Sequence, residues 1–377
     1  MKTLGVGIIG CGNISAAYMQ LVPMFKGIQV RACADINHSA AVARAEEFDI
    51  RAESIDDLLM AGDIDIIVNL TIPAAHVEVS SAILNAGKHV YSEKPFVLST
   101  EEGNVLKKLA NEKGLRIGSA PDTFLGSTHQ RARALIDSGA VGKITSGTAV
   151  VQSHGMEHWH PNPDFFFQPG AGPMLDLGPY YISNLIQLIS PVKRVTAMTS
   201  SPSKTRTISC GPRDGEKVPV ETPTTIHALL EFDNGAIINL ITSWDVWAQS
   251  HSNMELYGEK GTLFVPDPNF FGGELRLTEE SEEVILPHWE HPFEKENYVD
   301  KNSGNHQSNY RGAGLADMAL AIQEGRPQRC SLEFAHHVVD VMASILKSGE
   351  TGQTIELSTT CDRPAALDAK SAQALLK

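Results

Sequence analysis

Cysteine is scarce in this chain of 377 residues: Cys11, Cys33, Cys210, Cys330 and Cys361 are scattered, and none is spaced C-x-x-C. An odd, dispersed set of thiols encodes neither a disulfide framework nor a structural zinc site, and it suits a reducing cytoplasm. Basic residues are few beside acidic ones, 31 against 45, for a formal charge of −14. A nucleic acid is repelled by such a surface unless Lys and Arg cluster. The densest basic pairs, Lys107–Lys108 and Arg131 with Arg133, read as solvated helix faces. No apolar run approaches the roughly 18 residues that a membrane helix needs. The start, Met1 to Gly10, lacks the basic–apolar–small pattern of a secretion signal and reads directly as a strand. Internal repeats and low-complexity tails are also missing. What remains is an ordinary globular composition, 42% hydrophobic. At about 150 residues per domain the length predicts two or three domains.

The first 120 residues alternate strand-like and helix-like stretches, the pattern of βαβ units and a parallel sheet. Strands are expected at Leu4–Ile9, Gln29–Ala34, Ile64–Leu70, His89–Ser92 and Arg116–Ala120, with helices at Asn13–Phe25, Ser39–Phe48, Ala74–Ala86 and from Ser99 to Lys113. Ser54 resembles a cap before a short helix, and Ser99-Thr-Glu-Glu102 has capping-box spacing. After Pro121 one helix (Ser127–Ser138) leads into alternating β-branched stretches: Lys143–Gln152, Val192–Ser200, Thr225–Phe232, Ala236–Ser243, Asn253–Tyr257 and Thr262–Val265. Asp233-Asn-Gly235 is a hairpin signal, because Asn and Gly tolerate positive φ, and the acidic run Glu279–Glu283 reads as a hairpin tip. These strands predict an open, mostly antiparallel sheet. Gly312–Gln323 and Phe334–Lys347 are helical, and His336–His337 are read as structural. The segment from His288 to Arg311 is polar and poorly periodic. The predicted architecture is a doubly wound domain over 1–121, followed by an α/β substrate and oligomerisation domain over 122–377 whose last helices pack back on the first.

Gly10-Cys-Gly12-Asn13-Ile14-Ser15 follows the first strand and opens the first helix, where glycines let the chain turn tightly and let a pyrophosphate meet the helix N-terminus. Ser15 replaces the third glycine, so the fingerprint is imperfect. Asp35, at the end of the second strand, can accept from both ribose hydroxyls and repel a 2′-phosphate. The residues that follow it, Ile36, Asn37 and His38, include no Arg, which favours NAD over NADP. Asp35 could instead only cap the next helix, a part that Ser39 could equally play.

Glu93-Lys94-Pro95 ends another strand, at the carboxyl edge where open α/β sheets bind ligands. Proline keeps the Lys94 backbone extended. A lysine beside a cofactor can serve as a donor or a general acid/base; the plainer reading is a surface lysine before a loop.

Together these residues resemble the Gfo/Idh/MocA oxidoreductase family, with its G-x-G-x-x-[GA] turn, its E-K-P and its open antiparallel C-terminal sheet, and the likeness covers essentially the whole chain. Thr71-Ile72-Pro73 with His76 resembles the family's T-P-x-x-x-H turn beside the nicotinamide and ribose. Gly139 through Ile144 resembles its G-x-I-G-K-I, and Glu324-Gly-Arg-Pro327 its E-G-R-P. The resemblance implies an NAD site that also includes Glu93, Lys94 and Asp122. The family's D-x-G-x-H segment reads here Asp176-Leu-Gly178-Pro-Tyr180, so Tyr180 stands at the histidine position, as in glucose–fructose oxidoreductase-like members. Lys94 and Tyr180 could share the proton of a substrate hydroxyl, with Asp176 binding a hydroxyl or orienting Tyr180; helix-face packing is the alternative for Tyr180 and Tyr181. Where many members carry arginine, this chain has Asp122-Thr123-Phe124, better suited to hydroxyls than to an anion.

His154-Gly-Met-Glu-His158-Trp159-His160 precedes that segment. Histidines are common metal ligands, but their spacing in a Pro-bounded loop, without cysteine or a carboxylate cluster, argues against a metal. A sugar-binding loop fits better, with Trp159 stacking on a ring face and His158 and His160 on its hydroxyls; Arg311, Trp244, Trp247 and Tyr310 are weaker candidates. The expected function is an NAD-dependent oxidoreductase of a sugar, sugar derivative or cyclic polyol. A redox glycosidase (oxidation, elimination, re-reduction) and a non-catalytic NAD sensor are the alternatives. Family likeness implies a homodimer or homotetramer paired through the sheet.

Overall fold

The computed structural model describes residues 2–299 and 304–377; residues 300–303 of the long polar segment lie outside the described residues. Six strands, β1 (Leu4–Ile9), β2 (Ile28–Ala34), β3 (Arg51–Ala52), β4 (Ile66–Asn69), β5 (His89–Ser92) and β6 (Ile117–Ser119), form a sheet in the order β3-β2-β1-β4-β5-β6. Every pairing is parallel. Chain order reverses between β1 and β4, and ligands bind at the carboxyl ends of the strands at such a switch point. β1 and β4 are buried along their whole length, as strands covered on both faces must be.

The connecting helices are α1 (Asn13–Leu21), α2 (His38–Phe48), α3 (Ile55–Met60), α4 (His76–Asn85) and α5 (Thr100–Lys113). Local chemistry sets their ends. Ser54 Oγ accepts from the Asp57 N–H at 3.1 Å, and Ser99 Oγ from that of Glu102 at 3.2 Å. Glu102 reaches back to the Leu98 N–H at 2.8 Å, and Gly114, at φ 64°, closes α5. α1 is shorter than its sequence suggests: Pro23 lacks an N–H for a further α turn, and Val22–Met24 tighten into a 3₁₀ turn. Pro73 likewise opens a 3₁₀ turn before α4.

Beyond β6, α6 (Ser127–Asp137) leads to β7 (Ile144–Gln152), α7 (Pro173–Leu188) and β8 (Val192–Ser200). A nine-stranded sheet runs in the order 282–284, 276–279, 261–265, 254–258, β7, 237–243, 225–232, β8, 355–356. It is antiparallel except where β7 lies parallel to Ile237–Ser243. Residues 233–235 form the expected hairpin turn, with Gly235 at φ 89° and the Phe232 N–H on Ala236 O at 2.9 Å. Glu280, at φ 52°, turns the acidic hairpin.

α7 was expected only as the helix face weighed for Tyr180 and Tyr181, since Gly170, Gly172, Pro173, Gly178 and Pro179 look like loop punctuation. Pro173, however, occupies the first turn, where no N–H is needed. Gly178 permits a close helix approach: a Cβ there would lie 2.9 Å from Met174 Sδ and 3.2 Å from Met342 Sδ.

The last helices, α8 (Ala313–Glu324), α9 (Leu332–Thr351) and α10 (Ala369–Leu375), return to the first domain. His336, on α9, lies against Gly103 of α5 with Nε2 2.9 Å from Thr100 O. His337 Nε2 accepts from the Val192 N–H, so both histidines are structural. Leu376 bridges to Phe25, and Lys26 donates to Leu375 O at 2.7 Å.

The E-G-R-P segment has a structural reason. Asp317 of α8 is fully buried; Oδ1 accepts from Arg329 Nη1 and from Arg326 Nη2 at 2.8 Å, and Oδ2 from the Arg329 N–H at 2.7 Å. Asp317→Ala leaves the buried Arg329 guanidinium without its carboxylate, while Arg326 keeps Glu324 at 2.8 Å; it is expected to cost roughly 3–5 kcal/mol, read as a lowered urea midpoint with an unchanged slope.

Candidate active site

The glycine turn lies over the amino end of α1. Gly10 sits at φ 102°, and a Cβ there would come within 2.6 Å of Leu70 O, so only glycine lets β1 turn beside β4. Gly12 caps α1 without a side-chain hydrogen bond, and a Cβ on it meets nothing within 4 Å. The open side of this turn leaves the first N–H groups of α1 for an anion, as in dinucleotide sites. Ser15 is buried and its Oγ donates to Gly12 O at 2.6 Å; the serine replacing the third glycine thus closes the turn on itself. Asp35 Oδ2 accepts from the Cys11 N–H at 2.7 Å and Oδ1 from the Asn37 N–H at 2.8 Å, which aims the carboxylate at the rim of the turn.

Sequence reasoning passed over Ile36 and Arg44. Ile36 is 95% exposed and Ile72 70% exposed; apolar surface of this kind at the nucleotide edge suits an adenine ring. Only Ile72 was expected there; the signal for Ile36 was an apolar residue directly after the ribose acid. Arg44 of α2 brings a guanidinium within 3.4 Å of Gly12 O and also pairs with Glu47, a proximity no sequence spacing announces. The residues present fit a dinucleotide: Gly10, Gly12, Asn13 and Ile14 at the phosphates, Asp35 at the ribose.

Thr71 Oγ1 donates to Asn69 Oδ1 at 2.7 Å. His76 is fully buried, with Nδ1 2.8 Å from Pro95 O and Nε2 3.0 Å from Thr71 O. Both ring nitrogens are thereby committed to joining the Thr71-Ile72-Pro73 turn to the lysine turn.

Lys94 Nζ donates to Asp176 O and to Asp176 Oδ1, both at 2.8 Å, and lies 5.2 Å from the centre of the Tyr180 ring. This unites Lys94, Asp176 and Tyr180 from two domains. Burial works against the Lys94 ammonium, but the Tyr180 oxygen, the Asp176 carboxylate and Glu93 outweigh it and hold it above the ordinary lysine value. Lys94 is therefore a charged donor at neutral pH. Tyr181 faces elsewhere: its OH donates to Asp267 Oδ1 at 3.1 Å and accepts from Asn253 at 3.0 Å.

Other expected residues are placed differently. Asp122 is buried, and its Oδ2 accepts from the N–H groups of Gly312 and Gly314 at 2.9 and 3.1 Å, which caps α8. Burial raises its carboxyl above the usual range, against the pull of Arg311 and those two N–H groups. Thr123 is buried beside it. Neither residue is presented at an open surface, because the return of α8 covers this edge. Glu93 is buried as well, and Arg311 pairs with it at 2.9 Å.

The loop after β7 packs on a small core of its own, Phe167, Ile208, Val218 and Trp244. Arg206 anchors it by bonding Glu157 at 3.1 Å, Trp244 O and Asp245. Trp159 is 55% exposed and His158 is exposed. His160 is edge-on to Trp159 and to Phe166, and its Nδ1 accepts from the Asn162 N–H at 3.1 Å. Among the described residues no group of three or more His, Cys, Asp or Glu side chains could hold a metal ion, and no helix is long and apolar enough to cross a membrane.

A parallel sheet with a glycine turn opening α1 and an acid ending β2 defines an NAD-binding oxidoreductase domain of the Rossmann type. Residues 4–120 match the model described as "Oxidoreductase family, NAD-binding Rossmann fold", and residues 129–264 that of the GFO/IDH/MocA C-terminal domain. The chain belongs to the Gfo/Idh/MocA oxidoreductase family. It is 24% identical over 290 residues to levoglucosan dehydrogenase of Pseudarthrobacter phenanthrenivorans, covering 70% of this chain and 73% of that one. It is 27% identical over 274 residues to D-glucoside 3-dehydrogenase of Escherichia coli, covering 69% and 77%. A solved levoglucosan dehydrogenase in complex with NADH superposes with a TM-score of 0.79 at 20% identity, over 95% of this chain and 100% of that one.

Asp35→Ser removes a charged acceptor worth about 1.5–3 kcal/mol. NADH affinity, titrated by cofactor fluorescence, is expected to fall roughly 10–100-fold, with NADPH losing less. Unchanged NADH binding would mean that Asp35 only shapes the turn.

Proposed function

We propose that this protein is an NAD-dependent dehydrogenase acting on a hydroxyl of a sugar, sugar derivative or cyclic polyol. The observation that carries this reading is Lys94, held as an ammonium by Asp176 at the carboxyl edge of the parallel sheet, with Tyr180 beneath it. The relatives named as levoglucosan and D-glucoside dehydrogenases support the substrate class.

NAD, when bound, supplies the hydride acceptor at nicotinamide C4. Lys94 directs an N–H at the oxygen of the reacting hydroxyl. In the oxidative direction its charge favours the developing alkoxide, and the hydroxyl proton passes to Lys94 as Lys94 gives one to the Asp176 carboxylate 2.8 Å away; in the reductive direction the ammonium donates the proton to the carbonyl oxygen. Tyr180, one helical turn after Asp176 on α7, shares that proton. Asp176 keeps Lys94 aimed and offers its remaining oxygen to a second ring hydroxyl. Trp159, exposed on a braced loop, suits stacking on a pyranose face, with His158 and His160 beside it for hydroxyls.

The outer face of the nine-stranded sheet exposes Met198, Leu229 and Ile237, which supports pairing of two copies through it. Sedimentation is expected to give a dimer or tetramer that Leu229→Arg dissociates; a monomeric wild type would refute this.

Lys94→Ala is expected to lower turnover about 10²–10⁴-fold, the usual worth of an acid/base, while NADH titration stays unchanged. The assay is NADH formation on a panel of anhydrosugars, glucosides and inositols. Unchanged turnover of the variant sinks the assignment. Release of aglycone with catalytic NAD and no net NADH would replace the dehydrogenase by a redox glycosidase.

A further inference from the structure

The turn that carries Lys94 is governed by its neighbour. Glu93 Oε2 accepts from the Lys94 backbone N–H at 2.9 Å, and Oε1 accepts from Tyr18 OH at 3.1 Å and from Arg311 Nη1 at 2.9 Å. Arg311 comes from the far end of the chain, just before α8, and its guanidinium also lies 5.8 Å from the centre of the Tyr18 ring. Only 17% of the Arg311 side chain and 10% of that of Glu93 are exposed. The next residues, Gly312 and Gly314, donate to Asp122. Residues 311–314 therefore grip the chain just beyond both β5 and β6.

We infer that Arg311 is a positioning residue. By fixing the Glu93 carboxylate it fixes the Lys94 backbone and thus the line along which the lysine side chain leaves the sheet. It acts through Glu93 and does not touch the sugar. This inference rests on reading Lys94 as the acid/base. The place of the ion pair favours it over direct sugar binding: it lies one residue from the reacting lysine, where small displacements weigh heavily on rate.

The experiment is steady-state kinetics of the full chain on the substrate found with the panel above, using Arg311→Met, Arg311→Lys, Glu93→Gln and the charge-neutral double variant Glu93→Gln/Arg311→Met. Far-UV circular dichroism and the urea midpoint serve as the check on folding. Arg311→Met is expected to lower kcat roughly 10–100-fold, with the sugar KM changing far less, and Arg311→Lys to recover part of the loss. The double variant should be no slower than Glu93→Gln alone, because residues acting through one contact are non-additive.

A raised sugar KM at unchanged kcat overturns the inference in favour of sugar binding, and additive losses or wild-type rates overturn it outright. If Arg311→Met does not fold, the double variant decides against Glu93→Gln by the same comparison. Normal turnover of Lys94→Ala would instead sink the underlying acid/base reading, so the two failures are told apart.

Discussion

A lysine ammonium that is mostly shielded from water needs a fixed counter-charge, and in this protein the counter-charge comes from the other domain. Lys94 stands at the end of β5, and Asp176 in the first turn of α7 meets it with both a carboxylate and a carbonyl oxygen. Much of the C-terminal architecture serves that contact. Glycine at 178 lets α9 press α7 closely, α7 and α9 cover one face of the long sheet, and the sheet is wide enough to hold them.

The same economy shows at the opposite side of the lysine. The carboxyl ends of β5 and β6 are closed by the return of α8, which uses Asp122 as its cap and brings Arg311 to Glu93. A buried pair of opposite charges adds little net stability by itself. Its value is geometric: the charged groups accept one arrangement of the turn and penalise others. The Asp317 clamp on Arg326 and Arg329 does the same for the segment that joins α8 to α9. The loop after β7 is separate from this frame and rests on its own small core, which suits a specificity element.

Much of the fold was legible because local signals and periodicity agree in the first domain. β1, β5 and the Ser99-capped α5 lie where their residues place them, and the hairpin at Asp233-Asn-Gly235 follows from backbone freedom alone. α7 was legible only as the helix face weighed for Tyr180 and Tyr181, because Gly178 and Pro179 stand inside it and its packing on α9 leaves no local signal. α10 was missed because seven residues are too few to show a helical period, although Asp368 caps it and Ala, Lys, Gln and Leu favour a helix. At the site, the structure brings Lys94, Asp176 and Tyr180 together, as their motifs implied. Asp122, Thr123 and Arg311 carried the right chemistry for a polar pocket, but nothing local reveals that α8 returns to cover them. Long-range pairing, such as Arg311 with Glu93, leaves no spacing to read.

The most direct test is a crystal structure of the complex with NAD and a turned-over sugar or polyol. The account predicts a ring hydroxyl within about 2.6–3.2 Å of Lys94 Nζ, its carbon facing nicotinamide C4, with Asp176 still on the lysine. A sugar bound with its reacting carbon away from Lys94, or met by another acid/base, would contradict it.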